Sequence, residues 1–135
     1  EQPDGAHVYC CGPAALMRSV AAATAHWTPG FVHFEWFAAP EQEVGTATPF
    51  KVELAHSRRV LAVPADRSVL EVLRANGVVV PSSCEQGVCG TCETGVLAGE
   101  VDHRDKLLSP AERDASRTMM VCVSRARCER LVLDL

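Results

Sequence analysis

Between Pro81 and Cys92 the chain places Cys84, Cys89 and Cys92 in the pattern Cys-x4-Cys-x2-Cys, and a fourth cysteine, Cys122, follows far downstream. A loop carrying three thiols so close together must bring its backbone near whatever they hold, and must adopt positive φ somewhere. Gly87 and Gly90, alternating with the cysteines, allow both. Cys122 lies in the apolar segment 119–123, which reads as a buried strand. The expected site therefore has one thiol on a strand and three on a loop.

This is the ligand spacing of one class of 2Fe–2S centre. A 2Fe–2S group held by four thiolates carries net negative charge even when oxidised, so its sulfurs need hydrogen-bond donors. A tight loop of successive backbone N–H groups supplies them. A structural zinc site usually pairs two short cysteine knuckles, whereas Cys122 stands alone. Disulfides would suit a secreted chain, but no signal peptide is visible and seven cysteines leave one over. A Rieske centre needs two histidines, and none lies in the loop. The alternative carried forward is a zinc-binding, non-redox interaction module.

The 135 residues suffice for one full domain, or for a small domain with a piece of another. The net charge of −4 is unevenly spread. Residues 46–135 carry equal numbers of acidic and basic side chains, while residues 1–45 hold five acids against Arg18 alone. Neither part has the basic excess of a nucleic-acid binder, and no apolar run approaches membrane-spanning length. No nucleic acid and no membrane are expected as partners. Reduced thiols without an export signal point to the cytosol. The chain opens on Glu1 rather than methionine, which predicts a piece of something longer.

Hydrophobic patterning predicts two regions. In residues 1–39, a strand at 7–10 is followed by Pro13 at the first helical position. Leu16, Val20, Ala23 and Trp27 then form a helical stripe, Thr28, Pro29 and Gly30 stop it, and a second strand spans 31–37. This is one βαβ unit, too small to form a domain alone. Residues 40–49 read as a linker. In residues 50–135, alternation at Phe50, Val52 and Leu54 predicts a strand that pairs with 60–63. Asp66 is the expected cap of a helix carrying Val69, Leu70 and Leu73 that ends at Asn76 and Gly77. Ser109, Pro110 and Glu112 form a capping box, and strands at 119–123 and 131–133 close the chain. The expected class is α+β with a mixed sheet. Of the other cysteines, Cys10 and Cys128 read as small hydrophobes. His56 and His103 read as surface residues, and Glu85 and Glu93 as solvated acids or partner contacts.

With these motifs in hand, residues 50–135 resemble the plant-type 2Fe–2S ferredoxin, a β-grasp, on the loop Cys-x-x-Gly-x-Cys-Gly-x-Cys. Residues 7–40 resemble the end of a flavin-dependent, pyridine-nucleotide-oxidising reductase domain, on Cys11, Gly12, Pro13 and the run 34–37. That order is similar to the phthalate dioxygenase reductase family, whose module also occurs fused in self-sufficient haem-thiolate monooxygenases. The resemblance implies electron flow from NADH or NADPH to FMN, then to the cluster, then to a terminal oxygenase. It implies Cys84, Cys89, Cys92 and Cys122 as iron ligands, Cys11 and Gly12 near the nicotinamide, and Glu35 and Phe37 near the flavin. The flavin barrel and the glycine-rich phosphate loop are not among these residues. The chain by itself is therefore expected to carry electrons rather than to bind FMN or NAD(P)H, with a flavin reductase domain and an oxygenase as partners. The edge of the loop from Ser83 to Glu93 is the expected point of approach.

Overall fold

The computed structural model describes residues 2–37 and 47–135, in two compact units, one within 1–41 and the other within 42–135. Most of the expected linker, 40–46, lies outside the described residues.

In the first unit, β1 (Val8–Cys11) pairs in parallel with β2 (Val32–Glu35). Parallel neighbours need a crossover, and α1 (Ala14–Ala23) provides it. Pro13 caps this helix with an extended ψ of 146° rather than occupying its first turn. The helix also stops earlier than expected. Thr24 donates both its N–H and its hydroxyl to the Val20 carbonyl, at 2.9 and 2.7 Å, closing the last turn. Trp27 consequently lies beyond the helix. The expected stripe is not what α1 buries: Met17 is buried and Leu16 is 48% exposed.

The second unit is a five-stranded mixed sheet in the order β4-β3-β9-β5-β7. Its strands are β3 (Phe50–Leu54), β4 (Arg59–Val63), β5 (Glu93–Ala98), β7 (Thr118–Met120) and β9 (Arg130–Leu133). A small pair, β6 (Val101–Asp102) with β8 (Arg125–Ala126), completes it. β3 pairs antiparallel with β4 and parallel with β9, so the central contact joins the two ends of the unit. α2 (Val69–Ala75) buries Val69, Leu70, Val72 and Leu73 in a core shared with Val52 and Leu131. This is the β-grasp arrangement that the resemblance implied.

The cap of α2 is Ser68, not Asp66. Ser68 Oγ accepts the Glu71 N–H at 3.1 Å, and the Glu71 carboxylate accepts the Ser68 N–H at 2.7 Å. A reciprocal box satisfies two orphan donors where a lone aspartate would satisfy one. Replacing Ser68 by alanine should cost about 1 kcal/mol, read as a lowered midpoint in urea unfolding with unchanged slope. The box at Ser109 forms as expected and starts α3 (Pro110–Ala115).

Candidate metal centre

Strand β5, which the hydrophobic pattern did not reveal, builds this site. It starts directly after Cys92 and runs antiparallel to β7, with Glu93 opposite Met120. That register carries Cys92 to the residues following Met120. Because β5 begins at Glu93, there is no strand partner for residues beyond Met120, and the chain turns. The N–H groups of Val123 and Ser124 both donate to the Met120 carbonyl, at 3.2 and 2.9 Å. Cys122 therefore sits on a turn rather than on the strand expected at 119–123. The Leu70 N–H of α2 donates to the Val121 carbonyl at 2.9 Å and anchors that turn.

The four cysteines are electrostatic neighbours: Cys89 interacts with Cys84, Cys92 with Cys122 and Cys89, and Cys122 with Cys84. Cys92 and Cys122 are buried, Cys84 is half-buried and Cys89 is exposed. The loop takes left-handed φ at Glu85 (+55°), Gly87 (+75°) and Gly90 (+77°), a sequence of turns that aims successive N–H groups inward. The Gln86 N–H donates to Cys84 Sγ at 3.3 Å and the Thr91 N–H to Cys89 Sγ at 3.5 Å.

These donors favour thiolates. The Thr91 hydroxyl, 3.2 Å from Cys89 Sγ, together with the loop amides holds the Cys89 thiol down to about 6. Cys92 is held to about 7, chiefly by the hydrogen bond from Cys122. The Cys122 thiol is pushed up by that same bond and by burial. One proton thus lies between Cys122 and Cys92, where a bound metal would displace it.

Glu85, a non-glycine at positive φ, is fixed from outside by Arg74 at 2.6 Å. The guanidinium's hydrogen bond holds the Glu85 carboxyl below its usual range. Glu93 accepts from the Thr118 hydroxyl at 2.8 Å. Neither is a free acid at the loop edge. The expectation for His103 is corrected: its side chain is only 5% exposed and lies 3.7 Å from the fully buried Asp105. His56 is exposed and pairs with Asp134 at 2.9 Å. Cys128 is half-buried, and its sulfur accepts the Glu100 N–H at 3.3 Å. Thr91, Arg74 and Asp105 were not singled out from the sequence. Thr91 could have been, since a hydroxyl between two cysteines of a tight loop is a natural donor to sulfur.

In the first unit, Cys11 lies directly opposite Glu35 across the parallel strand pair. Residual desolvation and the Glu35 carboxylate raise its thiol above the ordinary value. Both residues line a hollow of about 180 Å³ together with Tyr9 and His33. Gly12 follows at φ +154°, and Phe37 is 78% exposed.

Three thiols on one amide-rich loop, with Cys122 on the turn after β7, make up the candidate ligand set. Residues 52–127 match the 2Fe-2S iron-sulfur cluster binding domain, and the chain belongs to that family.

Comparison with whole proteins extends the match to both units. The chain is 51% identical over 131 residues to the phthalate 4,5-dioxygenase oxygenase reductase subunit of Pseudomonas putida, covering 97% of this chain and 40% of that one. The solved structure of phthalate dioxygenase reductase, described as a modular structure for electron transfer from pyridine nucleotides to 2Fe–2S, covers the whole chain at TM-score 0.75 and 50% identity. The match uses 41% of that protein. An intact type IV self-sufficient cytochrome P450 monooxygenase also covers the whole chain, at TM-score 0.87 and 44% identity, over 18% of its own length. The chain spans about two fifths of the length of the curated relatives it matches. Among the described residues no helix is long and apolar enough to cross a membrane.

Proposed function

We propose that this chain is the one-electron output module of a flavin-dependent oxygenase reductase, with Cys84, Cys89, Cys92 and Cys122 as the ligands of its 2Fe–2S cluster. The observation that carries this is the gathering of three thiols on a loop whose Gln86 and Thr91 amides point at the sulfurs, with Cys122 held on the turn after β7. The four thiolates together would hold the cluster's iron. When bound, such a group accepts and releases one electron at a time.

The protein's own part is to hold, to shield and to tune. Gln86 and Thr91 set N–H groups on the ligand sulfurs, which stabilises added negative charge. The buried pair faces the core and the other pair faces the rim, so electrons enter and leave on the Cys84 and Cys89 side. With Glu85 paired to Arg74, docking at this rim depends less on its free acids than the sequence implied. Exposed Leu107, which lies against Gly90 of the loop, offers apolar contact near it. The proposed donor is an FMN reductase domain fed by NAD(P)H, with Cys11 and Gly12 near the nicotinamide and Glu35 and Phe37 near the flavin. The placement of Cys11 opposite Glu35 supports setting these contacts side by side. The proposed acceptor is a terminal oxygenase or a haem-thiolate monooxygenase.

Anaerobic dithionite titration, followed by visible absorption and electron spin resonance and combined with metal analysis, tests this. The expected result is a red-brown protein with two irons and two acid-labile sulfides per chain that takes up one electron. A colourless protein with one zinc per chain would overturn the reading.

A further inference from the structure

Asp105 is a buried acid for which the ligand set alone gives no reason. Its side chain is 0% exposed, and a buried carboxylate is costly unless paired. Its pairing is incomplete. Oδ1 has no hydrogen-bond partner, with His103 Nδ1 at 3.7 Å. Oδ2 lies 3.9 Å from Arg113 Nη2. Oδ2 does accept two backbone donors, the N–H groups of Leu107 and Leu108, at 3.0 and 2.8 Å. Arg113 locks the same turn from the other side, donating from Nη2 to the Asp105 carbonyl at 2.6 Å and from Nε to the Leu108 carbonyl at 3.0 Å.

The turn so fixed lies against the cysteine loop. The Lys106 N–H donates to the Gly87 carbonyl at 2.9 Å. A Cβ on Gly87 would come within 3.1 Å of Asp105 Cα, and one on Gly90 within 3.4 Å of Leu107 Cδ1. Segment 105–108 thus touches both glycines whose left-handed conformation points the loop amides at the sulfurs.

We propose that Asp105 is a positioning residue of the cluster site: its carboxylate holds the 105–108 turn against Gly87 and Gly90, and so keeps the neighbouring Gln86 N–H directed at Cys84 Sγ. This rests on the cluster reading above, and it assigns a role to a residue that touches no ligand sulfur. The consequence is electrochemical. Hydrogen bonds to cluster sulfurs and nearby net charge both set the reduction potential, and Asp105 contributes to each with opposite sign. Its negative charge lowers the potential, whereas the amide it positions raises it.

Two variants separate these effects. Asp105→Asn keeps an acceptor oxygen for Leu107 and Leu108 and loses only the charge. Its midpoint potential should rise, while iron release to a chelator stays at the wild-type rate. Asp105→Ala loses charge and acceptor together. It should release iron several-fold faster than the asparagine variant, with a midpoint below that variant's. Should the alanine protein not fold, Asp105→Ser, with a shorter acceptor, is compared with asparagine in the same two assays and must also release iron faster. Potentiometry, chelator kinetics and thermal melting are the measurements. A common midpoint and release rate for the asparagine and the alanine or serine variants would overturn the proposal. So would a lowered melting temperature with both cluster readouts unmoved, since that marks a purely structural acid. A wild-type chain holding no iron would instead sink the cluster reading itself.

Discussion

Single replacement of Cys84, Cys89, Cys92 or Cys122 by serine should abolish the iron–sulfur spectrum, while serine at Cys10, Cys11 or Cys128 leaves it intact. The quartet leaves no spare thiol: each of its cysteines interacts with another member. By contrast, Cys10 Sγ lies 3.6 Å from Met17 Sδ, and Cys128 Sγ faces Glu100 and Arg130 backbone groups. Because binding free energy at such a site is also folding free energy, the four ligand variants should unfold at lower temperature than the wild type. The effect should be largest at buried Cys92 and Cys122. Iron and labile sulfide per chain, with thermal melting, provide the check. Loss of iron on replacing Cys128 with retention on replacing Cys122 would refute the assignment.

The second large effect is expected at Gly87. Its φ of +75° costs an alanine about 1–2 kcal/mol through its backbone alone. The added Cβ would also sit 2.7 Å from Val123 Cγ2 and 3.1 Å from Asp105 Cα. Overpacking of this kind typically adds about 1–3 kcal/mol, so Gly87→Ala should destabilise by roughly 3 kcal/mol and impair iron retention. Gly77 supplies the control. It has the same φ of +75° but nothing within 4 Å of an added Cβ, so Gly77→Ala should cost only the backbone part and keep its iron. Urea unfolding and iron content of both proteins decide the matter. Equal destabilisation with full iron in each would show that Val123 and Asp105 yield freely and do not constrain the loop.

How far sequence reaches into this molecule depends on the range of the interaction concerned. Features set by neighbours in the chain were legible. The Ser109 box, the end of α2 at Asn76 and Gly77, the β3–β4 hairpin and the β1–α1–β2 unit all follow from residues a few positions apart. Where two local candidates competed, the better-satisfied one won, as Ser68 with Glu71 did over Asp66. His103 was misjudged because polarity alone does not reveal that its side chain is buried beside Asp105.

The sequence by itself determined the four-thiol inventory, its spacing, and the glycines that let three thiols share one loop. Only the tertiary structure decided how those thiols meet. Cys92 and Cys122 become neighbours through the register of β5 on β7, and Cys122 lies on a turn because β5 has no residues left to pair with it. Glu85 holds its left-handed φ with Arg74 reaching over from α2. Asp105 reaches Gly87 only once the 105–108 turn is built. The physical reason is common to all three: a backbone or side-chain hydrogen bond carries no trace in the sequence of the distant partner that will satisfy it.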